Sequence, residues 1–300
     1  MSRMSTPDKT KVQPSILMAS PPSGCSITFR LLPDLDYRSA LVRLRDALPL
    51  DAGVVGLGEP IVRALQKSVP GLVTFAALSG AQIAVPSTQQ ALWVFLRGED
   101  RGSLFDSTSI VRTVLAPAFE IDDLMNTFVY AKGRDLSGFE DGTENPKGDA
   151  AIEAAIAAGD AGFDGSSFVA VQRWVHDLKR FGEFSGSQRD AIIGRRRDTN
   201  EELKDAPESS HVKRTAQESY TPPAFMLRRS MPWAGTHDQG LEFIAYVESI
   251  SRFDRMMRRM VGLEDGIADG LFKFSRAVTG GYYWCPPIQN GRLDLSYLGL

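Results

Sequence analysis

Residues 133–146, with the sequence GRDLSGFEDGTENP, interrupt the chain almost at its middle. Gly138 and Gly142 allow backbone angles that a side chain would forbid, and Asp141-Gly142 and Asn145-Pro146 are strong turn signals. Acidic side chains crowd the same stretch. By composition alone it is typical of a solvated surface loop. A loop of this kind can also hold a carboxylate rigidly at the edge of a cavity.

The chain before this loop predicts a compact α+β unit. Periodicity indicates strands over 26–32, 54–57, 72–78, 91–96 and 126–131, and helices over 37–48, from Glu59 onward, and over 104–115. If 54–57 and the helix after it form an insertion, the remaining order is strand, helix, strand, strand, helix, strand. That order is ferredoxin-like: a four-stranded antiparallel sheet backed by two helices. Residues 1–23 are predicted to be a flexible arm.

The chain after the loop can be interpreted in the same order. Strands are predicted over 167–175, 223–231 and 241–247 and near 282–284, and helices over 150–158, 187–200 and 250–261. The sequence therefore predicts two ferredoxin-like domains, as in the dimeric α+β barrel type. They would span 24–132 and 133–300 and join near Gly133.

Composition and charge narrow the class of partner and the compartment. The net charge is −3 and the pI about 5.7, which argues against nucleic acid because phosphate binding needs a basic face. Cys25 and Cys285 form neither a metal-ligand pattern nor a disulfide framework, so a reducing compartment is expected. No secretory signal stands in residues 1–15, and no apolar stretch is long enough to span a bilayer. A cytoplasmic protein without a membrane partner is predicted.

Four landmarks in the second half carry a resemblance to a known family. Gly138-Phe139-Glu140-Asp141-Gly142 matches the GxxDG signature of the dye-decolourising peroxidases, which are haem enzymes. A His within 210–214, an Arg within 227–232 and the tail 278–283 follow in the family's order. The chain therefore resembles this family, and within it the bacterial cytoplasmic B-type branch. Its N-terminal third matches in length and pattern only.

The resemblance implies that haem b is bound through His211, the metal ligand. The chain has two other histidines, His176 and His237, which are interpreted as structural or surface residues. A ligating His is oriented by the group that accepts its second ring N–H, and a carboxylate there makes it a stronger donor. Asp265 and Asp269 are the candidates. The resemblance favours Asp269, which could equally be a helix-end carboxylate.

The resemblance also implies the groups that act on the oxidant. Strand alternation places only one of Arg228 and Arg229 in a cavity, and the family match selects Arg228. Asp141 would accept and return a proton of hydrogen peroxide, while Arg228 stabilises the anion and lowers the pKa of Asp141. Turnover would then be fastest at acidic pH. Ser230 stands where Asn is frequent in the branch, and its hydroxyl would hold a distal water.

Further residues are expected around the cofactor. Phe243 and Phe274 are candidates for its apolar walls, although ordinary core packing explains them equally well. Arg195 is the candidate partner of the haem propionates; the alternative is a solvated basic helix turn. Buried aromatic residues could pass oxidising equivalents to the surface, but core packing remains an alternative for each of them: Trp93, Trp174, Trp233, Tyr282, Tyr283 and Trp284.

The sequence thus predicts a haem b peroxidase that reduces hydrogen peroxide through a ferryl intermediate. It would oxidise bulky aromatic donors such as dyes and phenols, and form a homo-oligomer, a dimer or larger. Two alternatives remain open at this stage. One is a haem-handling protein for haem storage or iron release, and the other is a haem-free ferredoxin-like regulatory module.

Overall fold

The computed structural model describes residues 8–80 and 83–300. Antiparallel pairing joins ten strands of this part of the chain into one sheet, and the others form small hairpins. The strands are β1 Ser23–Leu31, β2 Gly53–Leu57, β3 Leu78–Gly80, β4 Ile83–Val85, β5 Leu92–Gly98, β6 Phe119–Phe128, β7 Ser167–His176, β8 Leu227–Arg228, β9 Met231–Ala234, β10 Gln239–Val247, β11 Ser275–Ala277, β12 Gly281–Cys285, β13 Ile288–Gln289 and β14 Arg292–Leu293.

Local capping sets where the longer helices begin. The side chain of Asp36 caps α2, and a reciprocal capping box between Asp100 and Ser103 opens α4. The helices are α1 Pro14–Leu17, α2 Tyr37–Ala47, α3 Glu59–Ala64, α4 Arg101–Leu115, α5 Asp149–Ala155, α6 Leu178–Glu183, α7 Gly186–Ile193, α8 His211–Arg214 and α9 Ile250–Met260. Short 3-10 turns add Lys9–Lys11, Gln217–Ser219, Gly270–Lys273 and Ser296–Leu298.

The first half of the sheet has the order β6-β1-β5-β2, with α2 and α4 packed on it. This is the ferredoxin-like arrangement, but the expected insertion is wrong. Strand β2 belongs to the sheet, paired with β5 from Gly53 to Leu57. The apolar run 72–77 instead makes no ladder within the described chain. Composition explains the error, because a short apolar run resembles a strand wherever it lies, and in this run only Leu72 and Phe75 are buried.

The second half repeats the order as β12-β7-β10, and β8 and β9 pair one after the other with different parts of β10. The halves meet where β2 and β12 pair at Leu57 and Trp284. The predicted α+β fold of two ferredoxin-like units is therefore confirmed. The domain boundary near residue 133 stays a prediction.

The N-terminal segment departs from the expected arm. Residues 1–7 lie outside the described range, but from Asp8 onward the chain is folded. Val12 and Ile16 are buried, and the Gln13 amide bridges the two halves. Its Nε2 donates to the carbonyls of Val55 at 3.0 Å and Pro286 at 2.9 Å, and its Oε1 accepts from the Val55 N–H. Only two apolar anchors, Val12 and Ile16, stand four positions apart in a polar segment, which explains the misprediction.

Three element boundaries also differ from the prediction. The helix expected over 187–200 ends at Ile193, because Gly194 adopts φ +96° and caps it. The strand expected over 223–231 is divided into β8 and β9. The strand expected from 126 begins at Phe119. In the described ranges, no helix is long and apolar enough to cross a membrane.

Candidate active site

A cavity of about 280 Å³ opens in the second half, between the central loop, α8, β8, β10 and α9. Its volume lies near the lower end of the range of about 300–1,000 Å³ that is usual for cofactor sites. One wall is apolar and is formed mainly by β10 and α9: Leu241, Phe243, Phe253, Met256, Met257 and Met260. Polar side chains also line it, among them Asp135, Asp141, His176, His211 and Arg228.

His211 is held by a short, strongly anchored helix. It is the first residue of α8, whose last residue, Arg214, is buried. The Arg214 guanidinium makes a bidentate ion pair with Asp265, at 2.7 and 2.8 Å, and also donates to the Arg259 carbonyl. This pairing fixes α8 against α9, so the imidazole has a defined direction. Asp265 is thereby engaged away from His211.

Asp269 lies directly behind His211. Its Oδ2 is 2.8 Å from His211 Nδ1, while its Oδ1 accepts the Leu271 N–H and caps the 3-10 turn. Asp269 therefore contacts His211 and caps a helical turn at the same time, while its part in cofactor binding stays a prediction. Gly270 allows the segment of Asp269 to lie close to the segment of His211. The Gly270 N–H donates to the Ser209 carbonyl at 2.6 Å, and a Cβ on residue 270 would lie only 3.0 Å from that oxygen.

The charge of Asp269 also acts on the protonation of His211. Burial lowers the His211 pKa and is the largest single influence. The negative charge of Asp269 and its hydrogen bond together outweigh burial, so the pKa is raised. The second ring nitrogen, Nε2, makes no hydrogen bond within the described chain, and the ring is part of the cavity wall.

Two amide side chains tie the central loop to the strand that carries Arg228. Asn145 Oδ1 accepts the Arg228 N–H at 2.8 Å, and Asn145 Nδ2 donates to the Arg228 carbonyl at 3.0 Å. Gln217 accepts the Met226 N–H and donates to the Glu144 carbonyl. The loop and β8 therefore keep a fixed separation, although neither is long enough to be rigid alone.

The adjacent arginines point in different directions. Arg228 lines the cavity, and among the described residues no carboxylate lies within 4.0 Å of its guanidinium, whose Nε is buried without a partner. Arg229 donates to the backbone carbonyls of Leu17 and Met18 at 3.0 and 2.6 Å. One arginine thus presents a free cation to the cavity, and the other secures the N-terminal segment.

Asp141 faces the cavity with one oxygen free. Its Oδ1 accepts the Gly142 N–H at 2.7 Å, and Oδ2 has no hydrogen-bond partner in residues 8–80 and 83–300. Although the cavity is open to water, the surrounding protein removes enough hydration to raise the pKa of Asp141. Arg228 and His211 lower it, and Asp135 raises it further. Arg228 thus lowers the pKa of Asp141 as expected, but the loss of hydration outweighs that cation, so the net shift is upward.

The other predicted residues divide around the cavity. Phe243 and Arg195 line it, but Arg195 is already paired with Glu144 at 2.5 Å and Glu202 at 3.3 Å. Phe274 is not in the wall; it is buried behind it. The Ser230 hydroxyl accepts the Ile244 N–H at 3.3 Å, and Ser230 does not line the cavity. The catalytic part assigned to Ser230 stays a prediction.

Sequence reasoning missed a second histidine–carboxylate pair. His176 is buried and lines the cavity, with Nε2 3.1 Å from Asp135 Oδ2 and Nδ1 2.6 Å from Ser275 Oγ. The His176 bond lowers the pKa of Asp135 even though burial acts in the opposite direction and is the largest influence. Asp135, which precedes the GxxDG stretch, was the only sequence feature that could have indicated this pair. His237, by contrast, lies in an exposed loop.

Sequence comparisons agree with this geometry. The sequence model described as "Dyp-type peroxidase, C-terminal" matches residues 132–290. The dye-decolorizing peroxidase of Rhodococcus erythropolis is 32% identical over 244 residues, which cover 78% of this chain and 72% of the relative. That of Mycobacterium tuberculosis is 33% identical over 222 residues, which cover 72% and 66%.

Solved structures agree as well. A dye-decolorizing protein from Vibrio cholerae superposes with a TM-score of 0.82 at 29% identity, over 91% of this chain and 96% of that one. A variant of DypB from Rhodococcus jostii, in complex with haem, gives 0.82 at 26% identity, over 91% and 95%. Because the family model matches more than half of the chain, and a relative covered to 72% of its length is 32% identical, the chain belongs to the dye-decolourising peroxidase family of haem enzymes.

Proposed function

We propose that the cavity holds haem b, with His211 as the iron ligand. Three observations support the fit. His211 Nε2 is unpaired and faces the cavity, and Asp269 fixes the opposite ring nitrogen, as is usual for a metal-binding imidazole. The wall of β10 and α9 offers the apolar surface that a macrocycle needs. Arg195 is the proposed cationic partner of the propionates, in competition with Glu144 and Glu202.

We propose that Asp141 and Arg228 carry out the reaction with hydrogen peroxide. Asp141 Oδ2 takes the proton from one peroxide oxygen and returns it to the other, so that this oxygen leaves as water. The Arg228 guanidinium stabilises the negative charge that develops between these two transfers. When bound, haem supplies the iron that takes up the two oxidising equivalents and releases them singly to aromatic donors.

One observation carries this proposal. A carboxylate oxygen and a guanidinium, both free of other partners within the described chain, share a cavity with a carboxylate-backed imidazole. Binding haem requires only the imidazole and the apolar wall. A haem-handling protein has no use for the other two groups, whereas a peroxidase needs both.

Replacing Asp141 tests the proposal. In the Asp141→Asn variant the second-order rate constant for peroxide should fall by about 10²–10⁴-fold, because an amide cannot accept the proton. The haem absorption band should be unchanged. Stopped-flow spectroscopy of haem-loaded protein measures both.

Asp149→Asn, an exposed carboxylate in the first turn of α5, is the matched control and should react like the parent. If Asp141→Asn reacted with peroxide at the parental rate, Asp141 would not be the proton acceptor. If the parent itself reacted no faster than free haem, the haem-handling alternative would replace the peroxidase.

We further propose that the protein works in the cytoplasm as a homo-oligomer. Cys25 and Cys285 are both buried and unbridged, which suits a reducing compartment. Light scattering on purified protein tests the oligomer, and fractionation of the source cells tests the location.

A further inference from the structure

A second, open pocket lies on the outer side of the central loop. Four arginines and two aspartates line it, and since Arg134 is paired with Glu140, one positive charge remains in excess in a chain whose net charge is −3. The charged residues are Arg134, Arg189, Asp190, Arg196, Arg197 and Asp198. Tyr130, 41% exposed, adds an aromatic ring at the rim. An excess of arginine in an acidic chain marks a place that favours anions.

Two of the arginines build the pocket and are not free to bind. Arg134 donates to the carbonyls of Gly138 and Arg197, at 2.7 and 2.9 Å, and pairs with Glu140 at 3.0 Å. The Arg197 guanidinium packs directly on Gly138, where a Cβ would lie 2.4 Å from its Nη2. These contacts hold the wall that separates the pocket from the active-site cavity, because Gly138 belongs to the loop that carries Asp141.

The other two arginines are available. Within the described residues, neither Arg189 nor Arg196 has a carboxylate within 4.0 Å. Arg189 Nε is buried without a hydrogen-bond partner, and its guanidinium lies 6.0 Å from the centre of the Phe181 ring. Arg196 is exposed. Planar guanidiniums bind sulfonate or carboxylate groups through paired N–H donors and stack on aromatic faces.

Packed aromatic rings connect this pocket with the cavity. Phe181, beside Arg189, has its ring centre 4.1 Å from that of Phe274. Phe274 in turn lies 5.7 Å from the ring of His176, which lines the cavity. Phe139, another cavity residue, is 6.2 Å from Phe181. The two sites are therefore separated by a few side chains in direct contact and not by bulk solvent.

We propose that the pocket docks anionic aromatic donors, with Arg189 and Arg196 binding the anionic group and Tyr130 contacting the ring. The inference rests on the proposed peroxidase function and names where such a donor binds. Two phenolic donors each lose one electron and one proton, and one hydrogen peroxide becomes two waters. The electrons cross the aromatic contacts to the cofactor, and the protons consumed in forming water balance those released by the donors.

Equilibrium binding without peroxide tests the site independently of turnover. The probes are 6-hydroxynaphthalene-2-sulfonate and the uncharged 2-naphthol, titrated by fluorescence into haem-loaded protein. In the double variant Arg189→Gln/Arg196→Gln, Kd for the sulfonate should rise about tenfold, as expected for two exposed charge contacts. Kd for 2-naphthol should not change. Higher salt should weaken only the sulfonate.

Two further variants keep the test sharp. Arg196→Gln alone changes an exposed side chain, so it folds normally, and it should raise Kd about threefold. Arg112→Gln, on the exposed side of α4 in the other half, should leave both values unchanged.

Equal sulfonate binding by the parent and the double variant would overturn the proposal. So would inorganic sulfate that competes as tightly as the sulfonated ring, since the site would then recognise no aromatic group. The proposed function fails separately, if the parent protein binds no haem or does not react with peroxide in the absence of any donor.

Discussion

The two halves of the sheet repeat one order of elements, yet the active-site cavity lies entirely within the second. In the first half a single helix, α2, joins β1 to β2 and buries Ala40, Leu41 and Leu44 against the sheet. In the second half the corresponding connection, residues 177–226, contains short helices and irregular backbone. Replacing one packed helix by this connection opens the space in which His211 stands.

The two halves are stabilised by different kinds of contact. The first half is held by side-chain packing along a regular helix. The connection in the second half is held by specific polar contacts, among them Arg214 with Asp265 and Asn145 with Arg228. A site of this kind can be precise without a regular scaffold, provided that each backbone segment has a dedicated partner.

The strongest test of the difference removes the imidazole. His211→Ala should abolish the haem absorption band of protein reconstituted with equimolar haem, because no other described side chain offers an unpaired imidazole nitrogen to the cavity. His237→Ala, in an exposed loop, is the matched control and should retain the band. Retention by His211→Ala would show that another group holds the iron.

Next in size is the contrast between the neighbouring arginines. Arg228→Ala should slow the reaction with peroxide by about 10²–10³-fold, the usual cost of losing one charge-stabilising donor. Arg229→Ala should leave that rate unchanged and instead lower the free energy of unfolding by about 1–3 kcal/mol, since it removes the donor of three backbone carbonyls. Stopped-flow kinetics and urea unfolding measure the pair. The reverse assignment would mean that the cavity-facing arginine was misidentified.

A smaller effect separates packing from ligand binding. Leu44→Ala, in the filled half, should cost about 2–5 kcal/mol of unfolding free energy and leave haem affinity unchanged. Leu241→Ala, in the cavity wall, should cost about 1–2 kcal/mol and weaken haem binding. Urea denaturation and haem titration of both variants give the comparison. If both variants lost haem affinity equally, packing in the first half would also control haem binding in the second.

The smallest expected effect is a shift in pH dependence. Only the carboxylate form of Asp141 accepts a proton, and its pKa is raised, so the peroxide rate should fall as pH drops through a value above 3.8. Arg228, His211 and Asp135 are the charged groups that act on it. Asp135→Asn removes a negative neighbour and should move this limb to lower pH. Rate–pH profiles of the parent and the variant measure this shift. If the acid limb did not move, Asp135 would have no influence on the pKa of Asp141.

Much of the fold could be predicted because the pattern is local. Alternation and capping located β1, α2, α4 and α9 to within a few residues. Membership of the sheet was not a local property: β2 and the run 72–77 are both short and apolar in sequence, and only pairing with a distant segment distinguishes them. The end of α7 at Ile193 could have been predicted, since the next residue, Gly194, is a typical helix terminator.

The site followed the same rule. His211, Asp141 and Arg228 were predicted from a motif order, and the structure brings them to one cavity. The lowering effect of Arg228 on the pKa of Asp141 was predicted, but the larger effect of lost hydration was not, because a sequence shows the neighbouring cation but not the water that is displaced. The placement of Phe274 behind the wall was not predictable either, since it depends on packing against Phe181 from another segment.

The Gln13 amide touches the edge strands of both halves close to the single residue pair where they join. Gln13 thus bridges the junction between the two halves. During synthesis it is made long before Pro286, its partner in the second half. The hydrogen bond to Pro286 can therefore form only after β12 has been made, whereas the two to Val55 need the first half alone. Trimming residues 8–17 should loosen the junction between the halves, while the core residues that they share still hold them together.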